Sequence, residues 1–508
     1  MSSIFQLFLH HAKQYPGHPF LVYRDDTISY EQAQSLAGSF AARLQQEKIQ
    51  PGQYVGLLLN NHPALIISCL TLYSIGAIPV IFPISGRLSQ FIQWCNRFNI
   101  QHLIYDEIHR NAVRQCEVQL QRNFLKLTVA NNPAADEQDY YQWLTPCSAL
   151  TLFHNPLPDQ IALVMFTAGT NADPRAVFLT HHNLTSAVEA CADHLINRHP
   201  PRLLLTIPMQ LAFTQTVCIN TLIQLGGTII FPRSSHTEEI AKTLISDEIT
   251  CYVERAWIFP EIIKHLPAGQ TATQLKRTFA YGGNLSEDVA DQWEQRTGCR
   301  LLRCYGTTET CGVATIERRY RQQPASALGP TIDHCEIAVL SPQGARVKAG
   351  QMGEICLSAP FIAPSAINHS SGDKRWFATG DLALLDSDST IHLTGKVTDV
   401  ILRYGYLIHP QIIESIVQQI PGIRVAAAIG VPFDSRKQQI ILYIIPQTDS
   451  SLSEDIITEE LKNRLPLYLM PEQIVMVQEL PCHESGEIRR ASLKNSNLKE
   501  EHFERILN

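Results

Sequence analysis

Two hydrophobic periods run through this chain. Residues 54–59, 78–82, 102–105 and 161–166 are short apolar runs bounded by turn residues, the pattern of buried strands. Between them apolar positions recur at helical spacing: Leu36, Phe40, Ala41 and Leu44, then residues 64–74 and 91–98. Helix alternating with short apolar strand predicts an α/β architecture with a largely parallel sheet. Ahead of it, residues 21–23 and 28–30 flank the turn Arg24–Thr27 and read as a hairpin, with Ser29 placed to cap the next helix. The first residues, MSSIFQLFLHHAKQYPG, read as a short amphipathic helix. Their basic residues follow the apolar patch, so a signal peptide is not expected.

Further along, residues 131–158 are more polar and carry prolines, which predicts a surface connection. Strands are expected at 203–207, from 226 to 230, at 279–283 running into a glycine turn, and at 301–305. Ser286 is placed to cap a helix over 288–296. After about Gly329 the strands become short and separated by turns (336–340, 354–357, 382–385, 390–393), which suggests a β-rich subdomain. A further α/β pattern begins near Val400: helix 410–419, strands 425–431 and 439–445, helix 454–464. Residues 64–84 are apolar enough to suggest a membrane span, but Gly76, Pro79 and Pro83 break it into helix, turn and strand.

Composition narrows the class. At 508 residues the chain exceeds one typical domain, and 45% hydrophobic with 18% charged residues suits a soluble globular protein. A net charge of -7 without a basic run gives no support for nucleic-acid binding. The 13 cysteines form no C-x-x-C pair, and several (Cys69, Cys218, Cys356) sit in apolar runs. Reduced, buried thiols in a cytoplasmic protein fit that pattern better than disulfides or zinc.

Candidate chemistry starts at residues 167–183, TAGTNADPRAVFLTHHN. A buried strand, a small hydroxyl-rich loop and a cation together can cradle a phosphate. The spacing is not that of a Walker A loop. Read alone, the stretch also fits an ordinary polar turn.

The same stretch resembles the phosphate loop of the adenylate-forming superfamily, which includes acyl- and aryl-CoA synthetases, peptide-synthetase adenylation domains and luciferases. Other stretches resemble that family's motifs in order. They are Leu203 to Thr214 (for L-P-x-x-H), Tyr281-Gly-Gly-Asn284, Tyr305-Gly-Thr-Thr-Glu309, Gly350-Gln-Met-Gly-Glu-Ile355, Phe377-Ala-Thr-Gly-Asp381, Gly395-Lys-Val-Thr-Asp399 with Gly405, and Gly486-Glu-Ile-Arg-Arg490. The resemblance covers essentially the whole chain. It implies a large N-terminal AMP-binding domain (1–397) made of two α/β subdomains and the β-rich one. A small mobile α+β C-terminal lid (398–508) follows, with Thr398 at the hinge.

The family activates a carboxylate with ATP as an acyl-adenylate and passes the acyl group to a thiol. The resemblance implies ATP, Mg²⁺ and the thiol of coenzyme A or phosphopantetheine, with a small carboxylic acid as substrate. A separate acyl carrier protein is a possible acceptor. It implies that Thr167, Gly169, Thr170 and Asn171 hold the β- and γ-phosphates, with Arg175 as the loop's cation. Gly283, Asn284, Tyr305 and Gly306 would line the nucleotide, Tyr305 stacking on adenine. Thr308 would contact the α-phosphate and Glu309 would hold Mg²⁺. Asp381 would accept from the ribose hydroxyls, helped by Lys396.

The copy is edited. Arg175 stands where the family has Lys, Ala172 and Ala176 where it has Gly, and Lys396 where it has Arg. No histidine follows Pro208. Glu487 stands where the family has its adenylation lysine. Two unit charges about 4 Å apart interact by roughly 4 kcal/mol at an effective dielectric of about 20, so exchanging attraction for repulsion there would cost orders of magnitude in rate. Arg489, Arg490 and Lys494 are neighbouring cations that would have to compensate. Otherwise the chain binds nucleotide or acyl-adenylate with impaired adenylation.

Overall fold

The structure is a computed structural model that describes all residues except 1–2, 147–152, 168–173, 196–198, 247, 270–273, 284, 318–326, 372–373, 404–405, 434–437, 448–451, 483–487 and 495–508. Two large sheets form the first part of the chain. One has seven strands, in the order 138–139, 125–129, 102–106, 54–58, 78–81, 161–166, 176–180, parallel except at the last pair. The other has eight. Its central strands, Leu301–Tyr305, Arg277–Tyr281, Cys251–Arg255, Arg202–Leu205, Thr228–Ile230 and Pro19–Tyr23, run parallel, with an antiparallel partner at each edge.

Apolar runs form these strands because both faces are buried. Leu203, Leu205, Val253 and Phe279 face the main core, while Leu204, Tyr252 and Ala280 face a second cluster around Trp293 and Phe259. The expected hairpin and caps are present. Ser29 and Gln32 form a reciprocal capping box at the start of Tyr30–Gln46, and the Ser286 hydroxyl accepts from the Val289 amide. Residues 64–84 divide into the helix Pro63–Ile75 and the strand Ile78–Ile81, joined by left-handed Gly76. Among the described residues no helix is long and apolar enough to cross a membrane.

One expectation is corrected. Part of 131–158 is not a surface connection: Tyr140 and Trp143, on the short helix Tyr140–Trp143, are buried against Phe40. Two aromatics three positions apart in a polar stretch outweigh its average polarity.

A five-stranded antiparallel sheet follows, built on Glu336–Leu340, Met352–Ser358, Lys374–Leu385 and Ile391–Lys396 with the short strand His369–Ser371. Beyond Val397–Asp399 lies a unit with its own core, in which helices Pro410–Val417 and Glu454–Arg464 pack on the strands Ile423–Pro432, Gln438–Pro446 and Gln473–Met476.

Candidate active site

The strand Leu301–Tyr305 delivers Tyr305 to the carboxyl edge of the eight-stranded sheet, where open α/β sheets bind their ligands. Gly306 follows, then the tight turn Thr308–Thr310. The turn is closed by Thr307 and Thr310: the Thr307 amide donates to the Thr310 hydroxyl (3.0 Å), which donates back to the Thr307 carbonyl (3.0 Å). A Cβ on Gly306 would lie 2.4 Å from the Gly312 carbonyl oxygen, so this close crossing needs glycine. Thr308 and Glu309 are left half-buried on the turn.

Asp381 reaches the same place from the β-rich sheet. Lys374–Leu385 and Ile391–Lys396 form a hairpin in which Asp381 is paired with Lys396. The Lys396 ammonium lies 2.8 Å from Asp381 Oδ1, and the Tyr305 hydroxyl donates to Oδ2 at 2.7 Å. The carboxylate is 8% exposed, deep enough for these charge-assisted bonds to be little screened. Residues of another motif fix its approach. The Gly380 amide donates to the Glu354 carboxylate (2.8 Å), and the Thr379 hydroxyl donates to the Ile355 carbonyl (2.9 Å) while accepting from the Asp381 amide (3.1 Å). Tyr305, Asp381 and Lys396, separated in sequence, are thus one hydrogen-bonded group.

The phosphate-loop stretch is described only at its ends. The Thr167 amide donates to the Arg175 carbonyl (2.9 Å) and the Arg175 amide to the Thr167 hydroxyl (3.0 Å), so the two residues pin the base of the loop. Arg175 itself is exposed. Gly169, Thr170, Asn171, Asn284 and Glu487 lie outside the described residues, as do Ala172, Gly405 and Gly486. Gly283, with Gly282, follows Tyr281 at positive φ (72° and 66°), a turn that only glycine takes without strain.

Several positioning residues carry no such role in the sequence reading. Asn183 and Thr180 bond each other's backbone amides, and the Asn183 amide group donates to the carbonyls of Pro360 (2.9 Å) and Ile362 (3.1 Å). The next residue, Ala363, donates to the Glu309 carbonyl (2.8 Å). The strand after the phosphate loop is thereby tied to the turn that carries Thr308 and Glu309. Asn183 closes the T-H-x-N motif, so a polar residue at fixed distance from the loop was its only signal. A buried carboxylate, Glu254, sits at the end of the neighbouring strand, but it accepts from Arg255's amide (2.8 Å) and Nε (3.1 Å).

In the C-terminal unit Arg490 is already committed. Its guanidinium makes two bonds to Glu414 (2.7 and 2.9 Å) and one to Asp399 (3.3 Å), and all three side chains are nearly buried. Burial raises the Glu414 carboxyl pKa above its ordinary value, against the pull of Arg490. Of the cations flanking Glu487, this one therefore holds its own unit together.

The AMP-binding enzyme family matches residues 8–365, and the AMP-binding enzyme C-terminal domain matches residues 412–487. A long-chain-fatty-acid–CoA ligase of Salmonella typhimurium is 22% identical, over 97% of this chain and 94% of its own. A feruloyl-CoA synthase of an Amycolatopsis species is 25% identical, over 92% and 93%. Among solved structures, ATP-bound MatB from Rhodopseudomonas palustris superposes with a TM-score of 0.86 at 19% identity, covering 97% of this chain and 98% of that one.

Proposed function

The chain belongs to the AMP-binding enzyme family, and we propose that it is an AMP-forming acid–thiol ligase, joining a carboxylic acid to the thiol of coenzyme A through an acyl-adenylate. The observation that carries this reading is the group Tyr305–Asp381–Lys396 beside the Thr308–Thr310 turn. A carboxylate oxygen has two acceptor sites, and each Asp381 oxygen has one bond from Tyr305 or Lys396, so the residues present fit a ribose diol. Glu309 is a hard oxygen ligand of the kind Mg²⁺ takes. When bound, ATP supplies the electrophilic α-phosphorus and the pyrophosphate leaving group.

The chain's own residues position and neutralise. Asp381 holds the sugar, and Lys396 aims that carboxylate. Tyr305 is tethered through its hydroxyl, which orients its ring for adenine. Thr308 sits on a turn locked by Thr310 and by Ala363, so its hydroxyl is preorganised toward the reacting phosphate. Arg175 and the loop from Thr167 onward neutralise the departing pyrophosphate. Residues 1–397 act as the nucleotide-binding body and 398–508 as the lid, turning at Thr398.

Glu487 favours a second reading: the site binds nucleotide or acyl-adenylate, and adenylation is impaired. Pyrophosphate exchange over a panel of carboxylic acids, run with wild type and Glu487→Lys, separates the two. Exchange in the wild type supports the ligase. A silent wild type with an active Glu487→Lys supports the second reading. Exchange in neither, with ATP still bound, removes the ligase reading and leaves a nucleotide-binding protein in which Glu487 is not what prevents adenylation.

A further inference from the structure

Residues 360–363 follow the strand Met352–Ser358 of the β-rich sheet and are held from two sides. The Asn183 amide group donates to the carbonyls of Pro360 (2.9 Å) and Ile362 (3.1 Å). The Cys311 thiol donates to the carbonyl between them, that of Phe361 (3.3 Å). Successive carbonyls of an extended chain point to opposite sides, so three in a row are taken alternately by two different motifs. The next amide, that of Ala363, donates to the Glu309 carbonyl (2.8 Å). Asn183, Cys311, Phe361, Ile362 and Ala363 are all buried. The segment is a strap between two elements: the strand Ala176–Thr180, which leaves the phosphate-loop stretch, and the turn that carries Glu309.

Neither hold is what local structure requires. Capping the helix His181–Leu195 uses the Asn183 backbone amide, which donates to the Thr180 hydroxyl (3.1 Å), and Oδ1, which accepts from the Thr180 amide (3.0 Å). The two Nδ2 bonds to Pro360 and Ile362 have no part in that cap. Cys311 takes φ 54°, in the left-handed region that glycine adopts freely and a side chain does not, yet its side chain is what holds Phe361.

We propose that Asn183 is a positioning residue for the triphosphate: through residues 360–363, held by Cys311 on their other side, it sets where the phosphate-loop strand stands relative to Glu309. This role rests on the adenylate-forming reading and divides that site into two parts. The nucleoside falls to Tyr305, Asp381 and Lys396, which bond one another. The β- and γ-phosphates with Mg²⁺ fall to the phosphate loop and Glu309, the two elements that the strap joins. Losing the strap bonds therefore weakens ATP with Mg²⁺ and spares AMP.

The test is calorimetric titration of the full chain with ATP and with AMP, both in Mg²⁺, so Glu487 and turnover do not enter. The readout is the ratio of ATP to AMP affinity within each protein, which is insensitive to the fraction folded. In Asn183→Ala that ratio is expected to fall about tenfold from its wild-type value, with AMP affinity kept within about twofold. Asn183→Asp keeps the acceptor for the Thr180 amide and loses the donors to the strap, so it is expected to follow Asn183→Ala. Should Asn183→Ala fail to fold, Cys311→Ala, which removes the bond to Phe361, is read in its place, with Cys311→Ser restoring the wild-type ratio. A ratio unchanged in the folded variants, whether or not both affinities drop together, overturns the proposal while leaving the nucleotide reading intact. So does an Asn183→Asp variant that keeps the wild-type ratio, since the cap alone then accounts for Asn183. A wild type that binds neither nucleotide removes the adenylate-forming reading, and the positioning role with it.

Discussion

Glu487 puts a carboxylate at the position where the resemblance expects an ammonium, and Arg490, two bonds deep in Glu414, is not available to take its place. Glu487→Lys is accordingly expected to raise pyrophosphate exchange by an order of magnitude or more, measured on the same acid. A second residue-scale effect concerns pH. Burial, with a further contribution from His154, lowers the His181 pKa from 6.5 to about 4. The folded pKa is below the unfolded one, so the neutral ring's contribution is complete above pH 6.5. It is lost as pH falls from 6.5 toward 4, by up to about 3 kcal/mol. Urea unfolding measured across that window is expected to show a steeper loss of stability in wild type than in His181→Gln.

At the scale of elements, the loop after Leu301–Tyr305 depends on close backbone crossings. Gly312→Ala drives a Cβ into Phe213 and sits at positive φ, so a loss of more than about 2 kcal/mol is expected in thermal unfolding. Gly350→Ala, also at positive φ but with open space around it, is the matched control and is expected to lose less. Strands and helices with strong periodicity were legible from the sequence: the hairpin at residue 19, the capped helix from Tyr30, and the strands that end at Phe166, Tyr281 and Tyr305. The π-helix Thr214–Asn220 was not, because its apolar pattern differs little from that of an α-helix. The buried aromatics of Tyr140–Trp143 were hidden in a polar average. Within the site, the residue types at Tyr305, Asp381 and Lys396 could be read from motif order. Their direct bonding could not, since it joins strands of two different sheets. The role of Glu354 in holding Gly380 is likewise a tertiary fact.

For the whole molecule, the C-terminal unit rests on the Arg490–Glu414–Asp399 cluster. Removing one partner of a buried ion pair leaves the others uncompensated, and Arg490→Ala is expected to cost about 3–5 kcal/mol. Hydrogen exchange is expected to report that loss in 410–476 and to leave the two large sheets protected, since they have separate cores. Protection lost equally in both parts would mean that the units unfold as one. In the proposed function the nucleotide is held at the carboxyl edge, by Asp381 from one sheet and Tyr305 from another. The direct test is calorimetric titration of ATP with Mg²⁺ into wild type and Asp381→Asn. Saturable binding by the wild type, weakened about ten- to a hundredfold in a folded Asp381→Asn, is the predicted result; equal affinity in the two proteins would contradict it.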